Sequence, residues 1–472
     1  MRINVHSVKE TCEPFPQAPV PLPAAFLRQM NELIGEEGTH HLAEALAEAP
    51  PVSVRLNCSK GGTAPAGAEE VGWCRTGRYL PTRPIFTLDP LLHAGCYYVQ
   101  EAASMFVEQA FMAMAERPRR LLDLCAAPGG KSTLWRSLLA DGALLVANEP
   151  VHGRAMILAE NMAKWGHPDV VVTNAWPADF APMGGFFDVV AADVPCSGEG
   201  MFRKDGGAVA EWSPENVAMC ASRQRQIIAD VWPALREGGY LVYSTCTFNR
   251  HEDEDNVAWI CHELGAEPVE IPLVSSWHVT TDLTGRGMPV YRFLPGRTRG
   301  EGFFLALLRR TAPAELRRER RKKARPCKQT PVQGGKTAAA WLADAGDFKL
   351  FRPSEAHIAA VRQSLFDDVE RVCATVRAVS VGILVAEEKG RKLVPRHELA
   401  LSIQLAGDAF PRAELSPDEA LAYLRREVLT LPPDVARGYV VATFEDRPLG
   451  FLNNLGSRAN NLYPSEWRIR KL

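Results

Sequence analysis

Asp193-Val194-Pro195-Cys196, read with Ser244-Thr245-Cys246-Thr247, decides how this chain folds. Each stretch puts a cysteine just past an apolar run, Phe187 to Ala192 in one and Tyr240 to Tyr243 in the other. Short apolar runs closed by turn residues predict buried strands. In an open α/β sheet, ligands and chemistry collect outside the carboxyl ends of the strands. The two stretches therefore predict two thiols at one edge of one sheet. A third strand end, Asp123-Leu-Cys-Ala-Ala-Pro-Gly-Gly-Lys131, has the small residues of a cofactor loop.

Outward from these strands, helix and strand signals alternate. Strands are expected at Arg120–Leu124, Leu144–Glu149, Val170–Asn174, Phe187–Asp193, Tyr240–Thr245 and Gly302–Leu308. Helices are expected at Glu101–Ala115, Lys131–Leu139, Gly153–Trp165, Arg223–Arg236 and Glu252–Leu264. That alternation predicts an α/β, Rossmann-like doubly wound sheet over residues 93–312. Residues 1–92 read as an α+β accessory domain, with a Pro-rich start, helices at Ala24–Ile34 and His40–Ala47 and a strand at Val52–Leu56. It serves packing or RNA contact.

Residues 313–345 read as a linker, whose Ala314–Lys328 stretch is the strongest basic cluster in the chain. Such a run is either solvated or a phosphate contact of salt-sensitive affinity. Residues 346–472 read as a β-rich C-terminal module. It has an amphipathic helix at Ser354–Cys373, a hairpin from Val379–Glu387 through Lys389-Gly390 to Lys392–Val394, and a strand at Tyr439–Phe444. Its tail interleaves Arg447, Arg458, Arg468, Arg470 and Lys471 with Asn453, Asn454, Tyr463 and Trp467. Unpaired RNA bases stack on such rings, though the same aromatics also suit a core.

Composition narrows the class. The 472 residues are 46% hydrophobic and 23% charged, the balance of a soluble globular protein. A formal net charge of −2 leaves any basic surface local. The 11 cysteines include no C-x-x-C, so neither a zinc ribbon nor a disulfide framework is expected, no metal is expected, and the reducing cytoplasm is the expected compartment. The start of the chain lacks the apolar core of a signal peptide, and no run reaches the roughly 18 apolar residues of a membrane span.

The loop Leu121 to Ser132 has three possible ligands. A phosphate-binding P-loop needs Gly where Cys125 stands, which argues against nucleotide hydrolysis. A dinucleotide loop needs a third glycine beyond Gly129 and Gly130. An S-adenosylmethionine loop tolerates looser spacing. Glu149, at the end of the next strand, can accept hydrogen bonds from both ribose hydroxyls of a nucleoside. Asn174, at the end of the third, can bond an adenine edge.

The cysteine pair suggests what the cofactor is for. Carbon 5 of a pyrimidine is a poor nucleophile. A thiolate added at carbon 6 makes it enamine-like, and it can then accept a methyl group. A base must afterwards remove the carbon 5 proton so that the thiol leaves. An acid near ring nitrogen 3 helps by holding a proton there. Asp193 and Cys196 beside Cys246 meet these demands. A thiol needs electropositive company to react, and Lys131 can supply it or bond the base carbonyl. Asp193 could instead cap a helix, while Cys125, Cys220 and Cys261 taken alone read as small buried hydrophobes. Chemistry alone does not choose which thiol attacks.

These residues resemble the NOL1/NOP2/Sun family of RNA cytosine-5 methyltransferases. The resemblance covers residues 24–310 and beyond. It runs through DLCAAPGGKS (123–132), then Arg154, Asn161 and Gly166, then DVPCSGEGMFRK (193–204) and WSPENV (212–217). RQRQI (223–227), STCTF (244–248) and EGFFLALLRR (301–310) complete it. FLRQM, LIGEE and PVSVRLN near the start, with the C-terminal module, look like its bacterial branch acting on small-subunit ribosomal RNA. The resemblance implies a class I methyltransferase fold, S-adenosylmethionine as cofactor, a PUA-like C-terminal module, and rRNA or the small-subunit particle as partner. It implies Cys246 as nucleophile and Cys196 as the group assisting its release. Cys125, Ala126, Ala127, Pro128, Gly129, Gly130 and Lys131, with Glu149, Asn174 and Asp193, would hold the cofactor. DNA cytosine methyltransferases attack with the Pro-Cys cysteine, here Cys196; the Ser-Thr-Cys-Thr match assigns attack to Cys246. Gly296 stands where the family leads one to expect histidine, and Asn174 where many members carry an acid. The rivals are the same chemistry on tRNA and an RNA-binding assembly factor without catalysis, against which the two cysteines and Asp193 argue. A monomer is expected.

Overall fold

The computed structural model describes residues 21–313, 334–390 and 392–470. The basic cluster expected over Ala314–Lys328 and the chain start before residue 21 lie outside the described residues.

The first unit opens with helix α1 (Ala24–Ala47), which merges the two expected helices across a kink at Gly35, φ 76° and ψ 170°. That backbone conformation suits only glycine. Phe26, Met30, Leu42 and Leu46 of α1 pack against Phe202, Trp212 and Phe248, just beyond the two cysteines. Strands β1 (Val52–Leu56), β2 (Glu69–Val71) and β3 (Cys74–Leu80), helix α2 (Pro90–His93) and strand β4 (Tyr97–Val99) follow. The four strands form a sheet in the order β2-β3-β1-β4.

The central unit runs α3 (Val107–Ala113), β5 (Arg120–Asp123), α4 (Gly130–Leu138), β6 (Leu144–Asn148), α5 (His152–Trp165), β7 (Val170–Thr173) and β8 (Phe187–Asp193). It continues with α6 (Gly206–Glu211), α7 (Pro214–Val231), β9 (Leu235–Thr245), α8 (Glu254–Leu264), β10 (Ala266–Pro268), β11 (Val290–Phe293) and β12 (Phe303–Arg310). The sheet order is β10-β12-β9-β8-β5-β6-β7, with β11 paired to β12. Strands β7, β6, β5, β8 and β9 are mutually parallel, and β12 is antiparallel to β9. β5 sits between β6 and β8, so the crevice at the carboxyl ends of β5 and β8 is the topological switch point. The helix expected at Arg223–Arg236 starts earlier, where Ser213 accepts a hydrogen bond from Asn216 N and Pro214 takes the first helical position. It ends at Val231 because Pro233 follows, and β9 begins at Leu235. The helix expected over Glu101–Ala115 is a 3₁₀ turn (Ala103–Phe106) leading into α3.

The C-terminal part runs α9 (Gly335–Ala339), β13 (Phe348–Phe351), β14 (His357–Arg362), α10 (Phe366–Thr375), β15 (Ala378–Val381), β16 (Ile383–Lys389) and β17 (Lys392–Pro395). Then come α11 (His397–Leu401), β18 (Arg412–Glu414), α12 (Pro417–Leu424), β19 (Gly438–Phe444), β20 (Arg447–Asn454) and β21 (Ala459–Asn461). Two sheets result, β13-β14-β16-β17 and β18-β19-β20-β21. The single helix expected over Ser354–Cys373 is a correction: it is strand β14 followed by α10. Ile358, Ala359, Ala360 and Val361 are all buried and pair with β13 on one side and β16 on the other, and that pairing overrides their helical spacing. The strand expected from Val379 breaks at Gly382, φ 57°, where the Ala360 carbonyl leaves no room for a side chain. Its first half, β15, pairs antiparallel with β7 and extends the central sheet. Phe351, Val361, Phe366, Val369 and Val372 join the core of that sheet.

Tyr463 is buried and Trp467 packs against the same cluster, so both rings serve the core. Two imidazoles, His93 and His397, line this region, and a third, His167, sits in the turn between α5 and β7. His93 lies 3.4 Å from the Tyr463 hydroxyl, His397 meets the Tyr463 and Trp467 rings edge-on at 5.0 Å, and His167 lies 3.1 Å from Asp141. Burial pushes His93 and His167 down to about 4 from the ordinary 6.5, and pushes His397 well below it. The unfolded chain then binds more protons than the folded one below pH 6.5. Stability is full above that pH and falls toward pH 4, by up to about 1.4 kcal/mol per pH unit for each ring. Thermal melting should therefore show a midpoint that drops steadily from pH 6.5 to pH 5; a flat profile there would contradict the neutral buried rings.

Candidate active site

The loop after β5 is tied to both neighbouring strands. Leu124 N donates to Ala191 O at 2.8 Å and Ala126 N to Asn148 O at 2.8 Å. Asn148 is fully buried and its amide spans Leu124 O (3.0 Å) and Ala175 O (2.9 Å), so one side chain registers three strand ends. From α5, Arg154 donates to Ala127 O (3.1 Å) and Asn161 to Pro128 O (2.8 Å). Gly129 has φ 120°, and a Cβ there would press on Leu158 at 3.3 Å and Asn161 at 3.4 Å. The loop feeds the N-terminus of α4, whose free N–H groups favour anionic or polar ligand atoms. Arg55 of β1 braces it from below. That guanidinium is fully buried, bonds Gln100 Oε1 at 2.8 Å and Gly130 O at 3.2 Å, and lies 4.4 Å over the Trp165 ring.

The second and third strand ends carry the other expected cofactor residues. Glu149 is buried; Oε1 accepts from Val151 N at 3.0 Å and Oε2 lies 3.6 Å from Arg154. Asn174 does not face the crevice through its amide nitrogen, which donates to Glu149 O (2.8 Å) and Pro150 O (2.9 Å). It therefore holds the turn that presents Glu149. Val151 and Trp176, just past β6 and β7, are 51% and 61% exposed, apolar surface of the kind that a flat base could cover. A buried carboxylate suited to vicinal hydroxyls, a small-residue loop and apolar rims together fit an adenosyl group. Asp123, under the loop, is pushed up to about 7 by burial, partly offset by the Ser132 hydroxyl at 2.6 Å.

The two cysteines meet at the ends of β8 and β9. Asp193 pairs with Ser244 across those strands, and its Oδ1 accepts from Ser244 Oγ at 2.8 Å. Its Oδ2 accepts from Lys131 Nζ at 2.9 Å. Burial alone would lower Lys131, but Asp193, with the nearby Cys246 and Asp123, outweighs it and leaves the ammonium above its ordinary value. Beyond these strand ends the Sγ atoms of Cys196 and Cys246 stand 3.1 Å apart, both half-buried free thiols. The contact with Cys246, then burial, raises Cys196 well above its ordinary value, so Cys196 is a thiol that holds its proton. Cys125 is raised too, by burial first and by Asp193 and Asp123 next.

The structure thus brings Lys131, Asp193, Cys196 and Cys246 together, with Cys125–Gly130 and Glu149 alongside. Sequence reasoning missed Glu199, Gln224, Asn249 and Glu252, all fully buried under the two thiol loops. A signal existed: Glu199 is an acid inside the otherwise small-residue run after Cys196.

A family model described as 16S rRNA methyltransferase RsmB/F matches residues 111–309. The RsmF N-terminal domain matches 22–102, and the RsmF PUA domain matches 410–469. Ribosomal RNA small subunit methyltransferase F of Escherichia coli O157:H7 is 32% identical over 95% of this chain and 97% of its own length. The protein of the same name from Klebsiella pneumoniae is 31% identical over 94% and 96%. Among solved structures, NSun6 from Pyrococcus horikoshii with SFG aligns at TM-score 0.52 and 19% identity, covering 61% of this chain and 98% of that one. A methyltransferase homologue from the same organism aligns at TM-score 0.52 and 23% identity, covering 61% and 94%. These two share the fold.

Proposed function

Since the chain belongs to the RsmB/F family of 16S rRNA methyltransferases, we propose that it methylates carbon 5 of a cytosine in small-subunit ribosomal RNA through a covalent bond between Cys246 and the base. The observation that carries the covalent part is the thiol pair, 3.1 Å apart beside the Lys131–Asp193 ion pair. S-adenosylmethionine, when bound, supplies an electrophilic methyl group. The Cys125–Gly130 loop and Glu149 would hold it, with Asn174 acting through the Glu149 turn.

The target base leaves its stack to reach the strand ends. Cys246 Sγ adds to carbon 6 and the proton of its thiol goes to ring nitrogen 3. Asp193 holds a proton at ring nitrogen 3 of the adduct, and Lys131, kept charged by Asp193, takes the base carbonyl. The largest cause keeping Cys196 protonated is its bond to Cys246. Once Cys246 sulfur is bonded to carbon, it is a far weaker acceptor and that hold is lost. Cys196 can then pass its proton to solvent and, as the thiolate, take the carbon 5 proton. That C–H electron pair restores the carbon 5–carbon 6 double bond as the sulfur–carbon 6 bond breaks, and Cys246 leaves as a thiolate.

Three observations support RNA as the partner: the PUA match, the family, and the basic tail beside the core aromatics. The test supplies S-adenosylmethionine carrying a labelled methyl group to undermodified small-subunit RNA, to assembled particles and to unmodified tRNA. Labelled 5-methylcytidine in the first or second supports the reading. Label only in tRNA overturns the substrate, and no label in any RNA favours an assembly factor. With Cys196→Ala, a slow protein–RNA band should survive a denaturing gel, because the adduct forms and its release is slow.

A further inference from the structure

Beneath the two thiols, each cysteine loop carries a buried carboxylate that binds the other loop. Glu199 follows Cys196 and is fully buried. Its Oε2 accepts from Phe248 N (2.7 Å), Asn249 N (3.0 Å) and the Thr247 hydroxyl (2.5 Å), all on the Cys246 loop. Its Oε1 takes Trp212 Nε1 (3.0 Å), Gln29 (2.9 Å) and Asn249 Nδ2 (3.1 Å). Glu252 follows Cys246 and is also fully buried. Its Oε2 accepts from Ser197 N at 3.0 Å, the residue after Cys196, and from Gln224 Nε2 at 2.7 Å. Gln224 in turn bonds Pro195 O at 3.1 Å, the residue before Cys196. Asn249 bridges the two carboxylates, reaching Glu252 Oε1 at 2.8 Å. A direct backbone bond, Gly200 N to Cys246 O at 2.7 Å, completes the lacing.

We propose that Glu199 and Glu252 are reciprocal positioning residues: Glu199 sets the placement of the attacking thiol and Glu252 that of the releasing thiol. The inference rests on the covalent reading above. The reason for two carboxylates is stereochemical. Neither loop has regular structure to hold its cysteine, so loop N–H groups need acceptors. A carboxylate offers about four lone-pair sites and no donor, and each of these takes three or more donors. Sub-ångström placement matters because a shift of about 1 Å in a reacting group can cost about 10²-fold in rate. The two roles predict opposite defects. Losing Glu252 frees the Cys196 loop, so adducts form but persist. Losing Glu199 frees the Cys246 loop, so adducts form slowly.

The test measures covalent RNA adduct and methylated product together for Glu252→Ala, Glu199→Ala, Glu252→Gln and Cys196→Ala, using small-subunit RNA and S-adenosylmethionine. Folded, cofactor-competent protein is counted by titration with S-adenosylmethionine. Glu252→Ala should raise the adduct-to-product ratio about tenfold or more, toward that of Cys196→Ala, and Glu199→Ala should lower both adduct and product without raising the ratio. Glu252→Gln keeps an oxygen for Ser197 N–H and should recover most of the wild-type ratio. Per cofactor-binding molecule, a merely structural role would leave adduct and product unchanged, so an unchanged ratio in Glu252→Ala, or unchanged adduct formation per binding molecule in Glu199→Ala, overturns the inference. If Glu252→Ala binds no cofactor, the Gln variant's ratio decides: equal to wild type within about twofold with normal turnover supports it, while a Cys196→Ala-like ratio overturns it. If Cys196→Ala itself traps no RNA, the covalent reading has failed, and the inference falls with it.

Discussion

Cys246→Ala should lose methyl transfer by about 10⁴-fold or more and trap no RNA at all. The size follows from the chemistry: without a thiol at carbon 6, carbon 5 has no enamine character, and no neighbouring group replaces it. Cys196 stands only 3.1 Å away, yet it is a poor substitute. Its proton is held by the bond to Cys246 first and by burial second. Removing Cys246 relieves the first but leaves burial and the Glu252 charge in place. Cofactor affinity should stay within about twofold of wild type, because the Cys125–Gly130 loop and Glu149 hang on strands β5 and β6 and not on the Cys246 loop. The measurement is single-turnover methyl transfer, with the denaturing gel run in parallel. Trapped RNA in Cys246→Ala together with none in Cys196→Ala would reverse the thiol roles, as in the DNA enzymes.

The thiol pair is legible in the sequence because strand ends are legible. Apolar runs at Phe187–Ala192 and Tyr240–Tyr243 end in polar, small residues, and parallel strands of one sheet end on one edge. The loop 125–131 and Glu149 follow from the same rule. What sequence hides depends on side chains meeting across long separations. Glu252 looks like an ordinary surface acid until the loops fold over it, and Glu199 stands out only as an acid in a run of small residues, with nothing to name its partners. Asn174 reads as a ligand for adenine, but at a strand end an amide can bond a neighbouring turn as readily as a base, and sequence does not say which. Residues 354–373 fail differently. Ile358 to Val361 is a run of small and branched apolar residues inside a stretch of helical spacing, and only its partners β13 and β16 make it a strand. The basic stretch 314–328 remains outside the described residues.

The largest loss of stability should come from Arg292→Ala, a site invisible to motif reading. Arg292 lies in β11 with no exposed side-chain surface. It donates to Asp253 Oδ2 (3.0 Å) and to Glu254 Oε1 (2.7 Å) and Oε2 (2.8 Å), and lies 5.2 Å over the Phe304 ring. Such a triad contributes little net stability over an apolar replacement, because desolvating three charges cancels most of their attraction. Deleting the cation alone is another matter: two carboxylates stay in the core with no counter-charge, at about 3–5 kcal/mol. Burial already pushes Asp253 well up, and Arg292 is the main influence holding it down. In the variant the folded Asp253 therefore prefers its proton more strongly, so the loss is largest above neutral pH and shrinks as pH falls. A chain of several domains has no single unfolding free energy, so the readout is the local opening free energy of β9 and α8 amides by hydrogen exchange. Replacing all three side chains at once, Arg292→Met with Asp253→Asn and Glu254→Gln, should recover most of the loss, which would separate a missing charge from missing volume. The effect also reaches the chemistry. Asp253 Oδ1 accepts from the Thr245 hydroxyl at 2.7 Å, one residue before Cys246. A carboxylate that swings away from its lost arginine takes that tether with it, so turnover should fall in Arg292→Ala even among molecules that remain folded. In the triple variant it should return only as far as the amide oxygen introduced at position 253 still accepts from Thr245.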